Sequence, residues 1–171
     1  MARRVFFSFH YERDVWRANV VRNSWLTHSH REAAGFWDGS LWEDAQWQGD
    51  RALQNMIDSA LYSTSVTVVL IGAETAQREY VQYEISASYQ LGKGLLGIYI
   101  HNIADMSRTV DRKGRNPFHE LVDSSTGDRL SDLFTTYDWI DDGGYHNLGD
   151  WVEEAAREAA RCRRQNIRRN E

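Results

Sequence analysis

Ser65-Val66-Thr67-Val68-Val69-Leu70-Ile71 is the clearest strand in the sequence. Nearly every position of the run is apolar or β-branched, so a strand formed here would bury both of its faces. Strands of this kind are typical of parallel sheets that are covered by helices on both sides. The segment therefore predicts an α/β fold built on a buried parallel sheet.

The segments around this strand alternate between strand and helix patterns. Four more strands are predicted at residues 4–9, 33–37, 95–100 and 135–140, and four helices at 11–25, 50–62, 77–91 and 147–164. In the first helix, Trp16, Val20 and Val21 are predicted to point inward. The alternation predicts a flavodoxin-like three-layer sandwich with a central parallel sheet of about five strands.

Two regions give weaker signals. Residues 39–44 are predicted to form a loop. Residues 101–134 show no clear periodicity, apart from a helix start at Asn116-Pro117, where proline suits the first turn. The sequence is interpreted as one domain over residues 3–165 and a basic, frayed tail over 166–171.

Composition limits the function classes. The chain has 171 residues, 42% of them hydrophobic, and a net charge of −5, which gives no overall attraction to nucleic acid. Cys162 is the only cysteine, so no intrachain disulfide can form, which suits a reducing compartment. There is no signal-peptide pattern and no apolar run near the roughly 18–20 residues of a membrane span. A soluble cytoplasmic protein without a membrane partner is expected.

The C-terminal region is rich in arginine. Six arginines lie near the end of the chain: Arg157, Arg161, Arg163, Arg164, Arg168 and Arg169. They could form a tail for nucleic acid or an acidic partner, or they could complement the dipole at a helix C-terminus. The second interpretation is favoured, and nucleic acid is not expected as a partner.

Ligands of flavodoxin-like sheets bind beyond the carboxyl ends of the strands, at the point where the strand order reverses beside the first strand. This rule selects residues 8–11, 37–39 and 72–74. Glu84 lies in the helix that follows the third strand. The small and apolar positions of this helix, among which Glu84 falls, are Tyr80, Val81, Ala87, Ser88 and Leu91. An inward carboxylate needs either a buried partner, such as an arginine, or a function such as substrate binding.

Other motifs are weaker. Gly92-Lys93-Gly94-Leu95-Leu96-Gly97 matches G-x-G-x-x-G as text, but it follows a helix and enters a strand, so a helix stop with Gly92 or Gly94 in a left-handed cap is predicted. His28 and His30 lack further ligands at zinc spacing and are interpreted as loop residues, so no metal is expected. A phosphoacceptor receiver domain would need acidic residues at the ends of strands one and three. Those ends are Ser8-Phe9-His10 and Ile71-Gly72-Ala73, so a receiver domain is not predicted.

Three segments make the chain resemble the TIR and TIR-like superfamily, and most of all the TIR-like proteins of bacterial Thoeris anti-phage systems. Residues 5–11 resemble the first TIR strand, residues 78–85 resemble the helix that presents the TIR glutamate, and residues 112–118 resemble a Gly–Asn-Pro stretch of the TIR-like subgroup. The resemblance extends from residue 3 to about residue 160.

The resemblance implies cleavage of NAD at the nicotinamide–ribose bond. It also implies a cyclic ADP-ribose product that is sensed by a separate effector protein, with NAD as substrate and no other cofactor. Carried over by position, Glu84 is the catalytic residue. The substrate contacts that the resemblance implies are Ser8, Phe9, His10 and Tyr80, with Asp38 and Trp42 from residues 38–47, which correspond to the variable binding loop of the family. His10 departs from the arginine that many TIR enzymes carry.

One carboxylate suffices for this chemistry, because nicotinamide leaves NAD⁺ as a neutral molecule and needs no general acid. An anionic Glu84 could stabilise the oxocarbenium-like ribose, provided that hydrogen bonds from residues such as Ser8 or Ser88 keep it ionised despite burial. The main alternative is a non-catalytic TIR-like adaptor, or nucleotide-binding module, that acts by self-association. A homo-oligomer is compatible with both hypotheses.

Overall fold

A five-stranded, all-parallel sheet forms the centre of the protein, with the strand order β2-β1-β3-β4-β5. The computed structural model describes residues 3–37 and 39–169. The strands are β1 Arg3–Ser8, β2 Arg31–Ala34, β3 Val66–Ile71, β4 Gly94–Tyr99 and β5 Thr136–Asp138. The helices are α1 Tyr11–Leu26, α2 Gly39–Gln48, α3 Asp50–Tyr62, α4 Glu79–Gln90, α5 Leu130–Leu133 and α6 Gly144–Arg169. The predicted flavodoxin-like sandwich is confirmed.

Helices cover both faces of the sheet. On one face, α1 and α6 pack Val21, Trp25 and Val152 against alternate β1 residues such as Val5 and Phe7. On the other face, α3 and α4 contribute the buried side chains Ile57, Leu61, Val81 and Ile85. Alternation along β1 therefore sends Phe9 toward the α1 face and Ser8 toward α4.

The strand order places the candidate site at the centre of one sheet edge. β1 pairs with both β2 and β3, and the chain passes from β1 to β2 on one side before returning to β3 on the other. The ends of β1 and β3 form the switch point at which ligands of such sheets bind. Residues 8–11 and 72–74, which were selected from the sequence, lie at this edge.

The loop predicted at residues 39–44 is wrong, because α2 begins at Gly39 and continues to Gln48. Within this helix, Trp42 and Ala45 are buried, three positions apart on one face, while Leu41 and Trp47 are exposed. Two inward residues among positions 41–48 give too weak a periodicity to reveal the helix from sequence. The helix forms because Trp42 is packed by residues from other parts of the chain.

The second strand begins and ends earlier than predicted. β2 ends at Ala34, since Gly35 adopts a φ of +89° and a Cβ atom there would lie 2.2 Å from the carbonyl oxygen of Phe7. In α1, Val21 is buried as predicted, but Trp16 and Val20 are exposed. Arg17 and Ala18 are among the residues of α1 that are buried instead.

Residues 100–135 are ordered mainly by local turns. A short 3-10 helix, Pro117–Glu120, starts where predicted, and the Asn116 side chain accepts a hydrogen bond from the Phe118 N–H at 3.0 Å. Gly92 has a φ of +66° and ends α4, which confirms the predicted helix stop. Leu91, predicted inward, lies just past α4 and is exposed.

The last helix is longer than predicted at both ends. α6 begins at Gly144 and continues to Arg169, so the proposed division into a domain over 3–165 and a tail over 166–171 stays a prediction. No helix among the described residues has the length and apolar character needed to cross a membrane.

Candidate active site

Glu84 is buried on α4 and faces the end of β1. Its side chain is 2% exposed, and the hydroxyl of the fully buried Ser8 donates a hydrogen bond to its Oε2. Among the described residues, no arginine, lysine or histidine forms an ion pair with Glu84. The inward orientation predicted from the helix pattern is confirmed, and the structural ion pair considered as its alternative is not formed.

The environment of Glu84 favours its protonated form. Burial raises the pKa of Glu84 to about 8, against the opposing effect of the hydrogen bond from Ser8. Ser88, the other hydrogen-bond partner considered from sequence, instead donates to the backbone oxygen of Glu84 at 2.7 Å and pairs with Thr67 at 2.7 Å. In this closed arrangement the carboxyl group is mostly protonated at neutral pH.

Four aromatic side chains, Tyr11, Trp37, Trp42 and Tyr80, pack together beside Glu84 and are called the aromatic cover. The Trp42 ring meets Tyr80 edge-on at 4.9 Å between centroids and stacks on Tyr11 at 5.5 Å and on Trp37 at 6.5 Å. Tyr80 precedes Glu84 by one helical turn, so both lie on the same side of α4. The indole of Trp42 is therefore held in an aromatic environment suited to a flat heterocyclic ring.

Glu12, in the first turn of α1, connects this cover to the sheet edge. One carboxylate oxygen accepts from the Trp42 indole N–H at 3.3 Å, and the other lies 3.4 Å from the Tyr80 hydroxyl and 3.3 Å from Nε2 of His10. Burial raises the pKa of Glu12, but hydrogen bonds from its own backbone and from Trp42 bring it below its ordinary value. Glu12 is thus an ionised acceptor with Trp42, Tyr80 and His10 among its polar neighbours.

His10 and Tyr80 complete the polar lining. His10 is 5% exposed, and its buried Nδ1 has no hydrogen-bond partner within residues 3–37 and 39–169. Burial, followed by the nearby Arg78, lowers the pKa of His10, so the ring is neutral at pH 7. The Tyr80 hydroxyl accepts from the Tyr11 N–H at 3.1 Å, and burial raises the pKa of Tyr80.

A cavity of about 350 Å³ lies next to the cover, between the start of α3 and α4. Tyr80, Tyr83, Leu53 and Ile57 contribute apolar surface to its wall, and Glu79 and Asp50 contribute carboxylates. Glu84 is not among the lining residues. The Tyr80 ring therefore borders both the cavity and the aromatic cover.

The predicted site residues are only partly brought together. Ser8 contacts Glu84, while His10, Tyr80 and Trp42 are joined through Glu12. The two sets are related by α4, on which Tyr80 precedes Glu84 by one turn on the same side. Phe9 is buried in the core against Phe36 at 5.0 Å between ring centroids, so its predicted substrate contact stays a prediction. Asp38 lies outside the described residues. Within the described residues, no three His, Cys, Asp or Glu side chains are grouped so as to hold a metal ion.

Sequence reasoning did not find Glu12. An acidic residue in the first helical turn after β1 lies within reach of the switch point, and this positional rule could have selected it. Trp37 was selected only as one residue of the expected ligand edge at 37–39, and no aromatic contact was predicted for it. No local signal marked its stacking on Trp42, because α2 was not recognised as a helix.

Comparison with known proteins agrees with this architecture. The family model for "Thoeris protein ThsB, TIR-like domain" matches residues 6–105, which include Ser8, Trp42 and Glu84. A Bacillus cereus (strain MSX-D12) protein named "Putative cyclic ADP-D-ribose synthase ThsB1" is 37% identical over 191 residues, covering 89% of this chain and 100% of the relative. The chain therefore belongs to the Thoeris ThsB family of TIR-like domain proteins.

Proposed function

We propose that this protein cleaves the nicotinamide–ribose bond of NAD and produces a cyclic ADP-ribose-type signal in the cytoplasm, in anti-phage defence. One observation carries the proposal: the buried carboxyl group of Glu84, which has no ion-pair partner among the described residues, meets Ser8 at the switch point, one helical turn from the ring of Tyr80. The family membership and the name of the 37% identical relative support the same substrate.

The bond that breaks joins C1′ of the ribose to the pyridinium nitrogen, which takes the electron pair and leaves as neutral nicotinamide. Positive charge then develops on the ribose ring. An ionised Glu84 stabilises that charge, and its Ser8 partner fixes the position of the carboxylate. No acid is required for the leaving group, so a single carboxylate can perform the step.

Glu84 must lose its proton before it can act in this way. A cationic nicotinamide riboside next to the carboxyl group lowers its pKa, as does water that enters when the cover moves. The proton passes to solvent. The closed arrangement, in which Trp42 packs on the other rings of the aromatic cover, is thus a resting form. Displacement of α2, which carries Trp42, is part of the proposed reaction cycle.

The product depends on which nucleophile reaches C1′ first. Attack by water yields ADP-ribose, whereas attack by another group of the same ADP-ribose closes a ring. In both cases the nucleophile loses a proton, which the Glu84 carboxylate or water accepts. If the bound substrate then excludes water from the space that α2 has left, ring closure is favoured over hydrolysis.

A non-catalytic adaptor is the second candidate. The enclosed Glu84 favours this candidate. Its carboxyl group is protonated in this arrangement, so it provides no negative charge to stabilise the ribose. Such an adaptor would bind nucleotide or a second copy of itself without consuming NAD. The cyclase hypothesis also requires a separate effector that senses the product, and the adaptor hypothesis does not.

The test is to incubate the protein with NAD⁺, with and without lysate of phage-infected cells, and to measure nicotinamide and nucleotide products by mass spectrometry. We expect Glu84→Gln to lower nicotinamide release by at least about 100-fold. Glu154→Gln, an exposed carboxylate on α6, is the matched control and should release nicotinamide at the normal rate. If the wild type never releases nicotinamide under either condition, the adaptor hypothesis is favoured.

A further inference from the structure

Three arginines converge on one carboxylate at the switch point. Glu74, three residues after β3, lies 3.8 Å from Arg13, 3.3 Å from Arg78 and 3.4 Å from Arg112. Arg13 also pairs with Asp111 at 2.9 Å. For Arg78 and Arg112, Glu74 is the only carboxylate within ion-pair distance among the described residues. Among the described residues, the ion pairs at this edge join Arg13, Arg17, Arg78 and Arg112 to Asp14, Glu74 and Asp111. They therefore hold one more cation than anion, in a chain whose net charge is −5.

The cluster is assembled from four separate segments that meet at this edge. Arg13 comes from the first turn of α1, Glu74 from the end of β3 and Arg78 from the start of α4. Arg112 is delivered by the loop after β4, which is pressed against β3: a Cβ atom on Gly114 would lie 2.0 Å from the carbonyl oxygen of Gly72. This close packing holds the loop backbone near Arg112 against the end of β3.

Several features of the cluster are those of an anion-binding site. Its side chains are accessible, with 36% of Arg13, 38% of Arg78 and 63% of Arg112 exposed. Nε of Arg78 is nevertheless buried and has no hydrogen-bond partner in the part of the chain that the structure describes. α1 and α4 both begin here without a side-chain cap, so their N-terminal dipoles point toward the cluster.

We propose that Arg13, Arg78 and Arg112 bind the diphosphate of the nucleotide substrate, and that Glu74 occupies the position of this anion when the site is empty. The identification of the ligand as the diphosphate of NAD rests on the proposed function. Guanidinium groups bind phosphate oxygens in pairs, and a diphosphate offers enough oxygens for all three. His10, which is neutral, supplies no charge to this site.

The cluster lies within reach of Glu84 through a short series of contacts. Arg78 is near the ring of His10, whose Nε2 lies 3.3 Å from Glu12. Glu12 in turn contacts the hydroxyl of Tyr80, which is one helical turn from Glu84. A dinucleotide with its diphosphate on the arginines would therefore extend past the end of β1 toward the candidate catalytic carboxyl group.

Binding of inorganic pyrophosphate, measured by titration calorimetry, tests the proposal without any need for turnover. We expect Arg112→Gln to weaken pyrophosphate binding about tenfold or more. Arg115→Gln is the matched control, since Arg115 is equally exposed on the same loop and pairs with Glu120 instead of Glu74. Glu74→Gln should tighten binding, because it removes the competing carboxylate. Added salt should weaken binding by the wild type.

The inference is overturned if the wild type does not bind pyrophosphate, if Arg112→Gln and Arg115→Gln behave alike, or if Glu74→Gln fails to tighten binding. If the cluster is purely structural, Glu74→Gln lowers the melting temperature of the protein and does not tighten pyrophosphate binding. Failure of the proposed function is distinguishable. If nicotinamide release depends on Glu84 but pyrophosphate binding does not depend on Arg112, only this inference is disproved. If pyrophosphate binding depends on Arg112 but no nicotinamide is released, only the proposed NAD cleavage is disproved.

Discussion

Ser8 donates a hydrogen bond to the carboxyl group of Glu84, 76 positions later in the chain. The two residues meet because β1 lies beside β3 and α4 packs over the face to which Ser8 points. Neither side chain has access to bulk water. The pair therefore couples the ionisation of Glu84 to the stability of the fold.

Glu84→Gln should make the folded protein less sensitive to alkaline pH. The folded state keeps the proton of Glu84 up to about pH 8, whereas the unfolded chain loses it near the ordinary value of 4.5. The folded state thus binds more protons between these values, so the wild-type free energy of unfolding falls as pH rises through this window and then levels off. The total loss is roughly 4 to 5 kcal/mol.

Urea unfolding of both proteins at several pH values between 5 and 9 measures this effect. Glutamine keeps the size of the side chain and does not titrate, so the advantage of the variant should grow with pH. Parallel stability curves for the two proteins would contradict the burial of an ionisable group at this position.

Trp42→Ala should destabilise the protein and open the aromatic cover. Removing a fully buried indole costs about 3 to 5 kcal/mol, and Glu12 also loses a hydrogen-bond donor. Trp47→Ala on the same helix is the control, since Trp47 is 91% exposed and its loss should change stability by no more than about 0.5 kcal/mol. Under conditions where the variant is folded, nicotinamide release without infected-cell lysate should rise. Equal release by the two variants would show that Trp42 does not restrict the site.

The contributions of the Tyr80 ring and of its hydroxyl can be measured separately with two variants. Tyr80→Phe removes the group that accepts from the Tyr11 N–H and contacts Glu12, at a cost of about 1 kcal/mol, but keeps the ring beside Glu84. Tyr80→Ala removes both. We expect the phenylalanine variant to retain most of its nicotinamide release and the alanine variant to lose it. A loss of the same size in both variants would assign the role to the hydroxyl.

Gly35→Ala should be one of the more damaging small substitutions. Its φ of +89° is unfavourable for alanine, and its Cβ atom would also overlap the carbonyl oxygen of Phe7 on β1. Gly127 has a similar φ of +79° but open space around it, so Gly127→Ala should cost only about 1 to 2 kcal/mol. Gly127→Ala reports the cost of the positive φ alone, and Gly35→Ala reports that cost together with the clash against Phe7. Equal melting temperatures of the two variants would disprove the clash.

The sequence predicted those features that depend on regular periodicity. The apolar run of β3, the helical position of Glu84 and the glycine stop at Gly92 each follow from local rules, and all three appear in the structure. The flavodoxin-like order followed from the alternation of strands and helices.

The features that were missed depend on contacts between distant segments. α2 is stabilised by the packing of Trp42 on Tyr11 and Tyr80, which no window of sequence around Trp42 contains. The arginine cluster combines residues 13, 74, 78 and 112, and its last member lies in a loop without periodicity. Glu12 gains its neighbours only when α1, α2 and α4 meet.

The location of Trp42 bears on how strongly any compound can bind to the isolated protein. A ligand that needs the space of this indole binds only the fraction of molecules in which α2 has moved. The measured dissociation constant is the intrinsic one divided by that fraction, so an open population of about one in a hundred weakens apparent affinity about a hundredfold. A second molecule that holds α2 away would restore the full affinity without touching the ligand, and so would act as a cooperative activator.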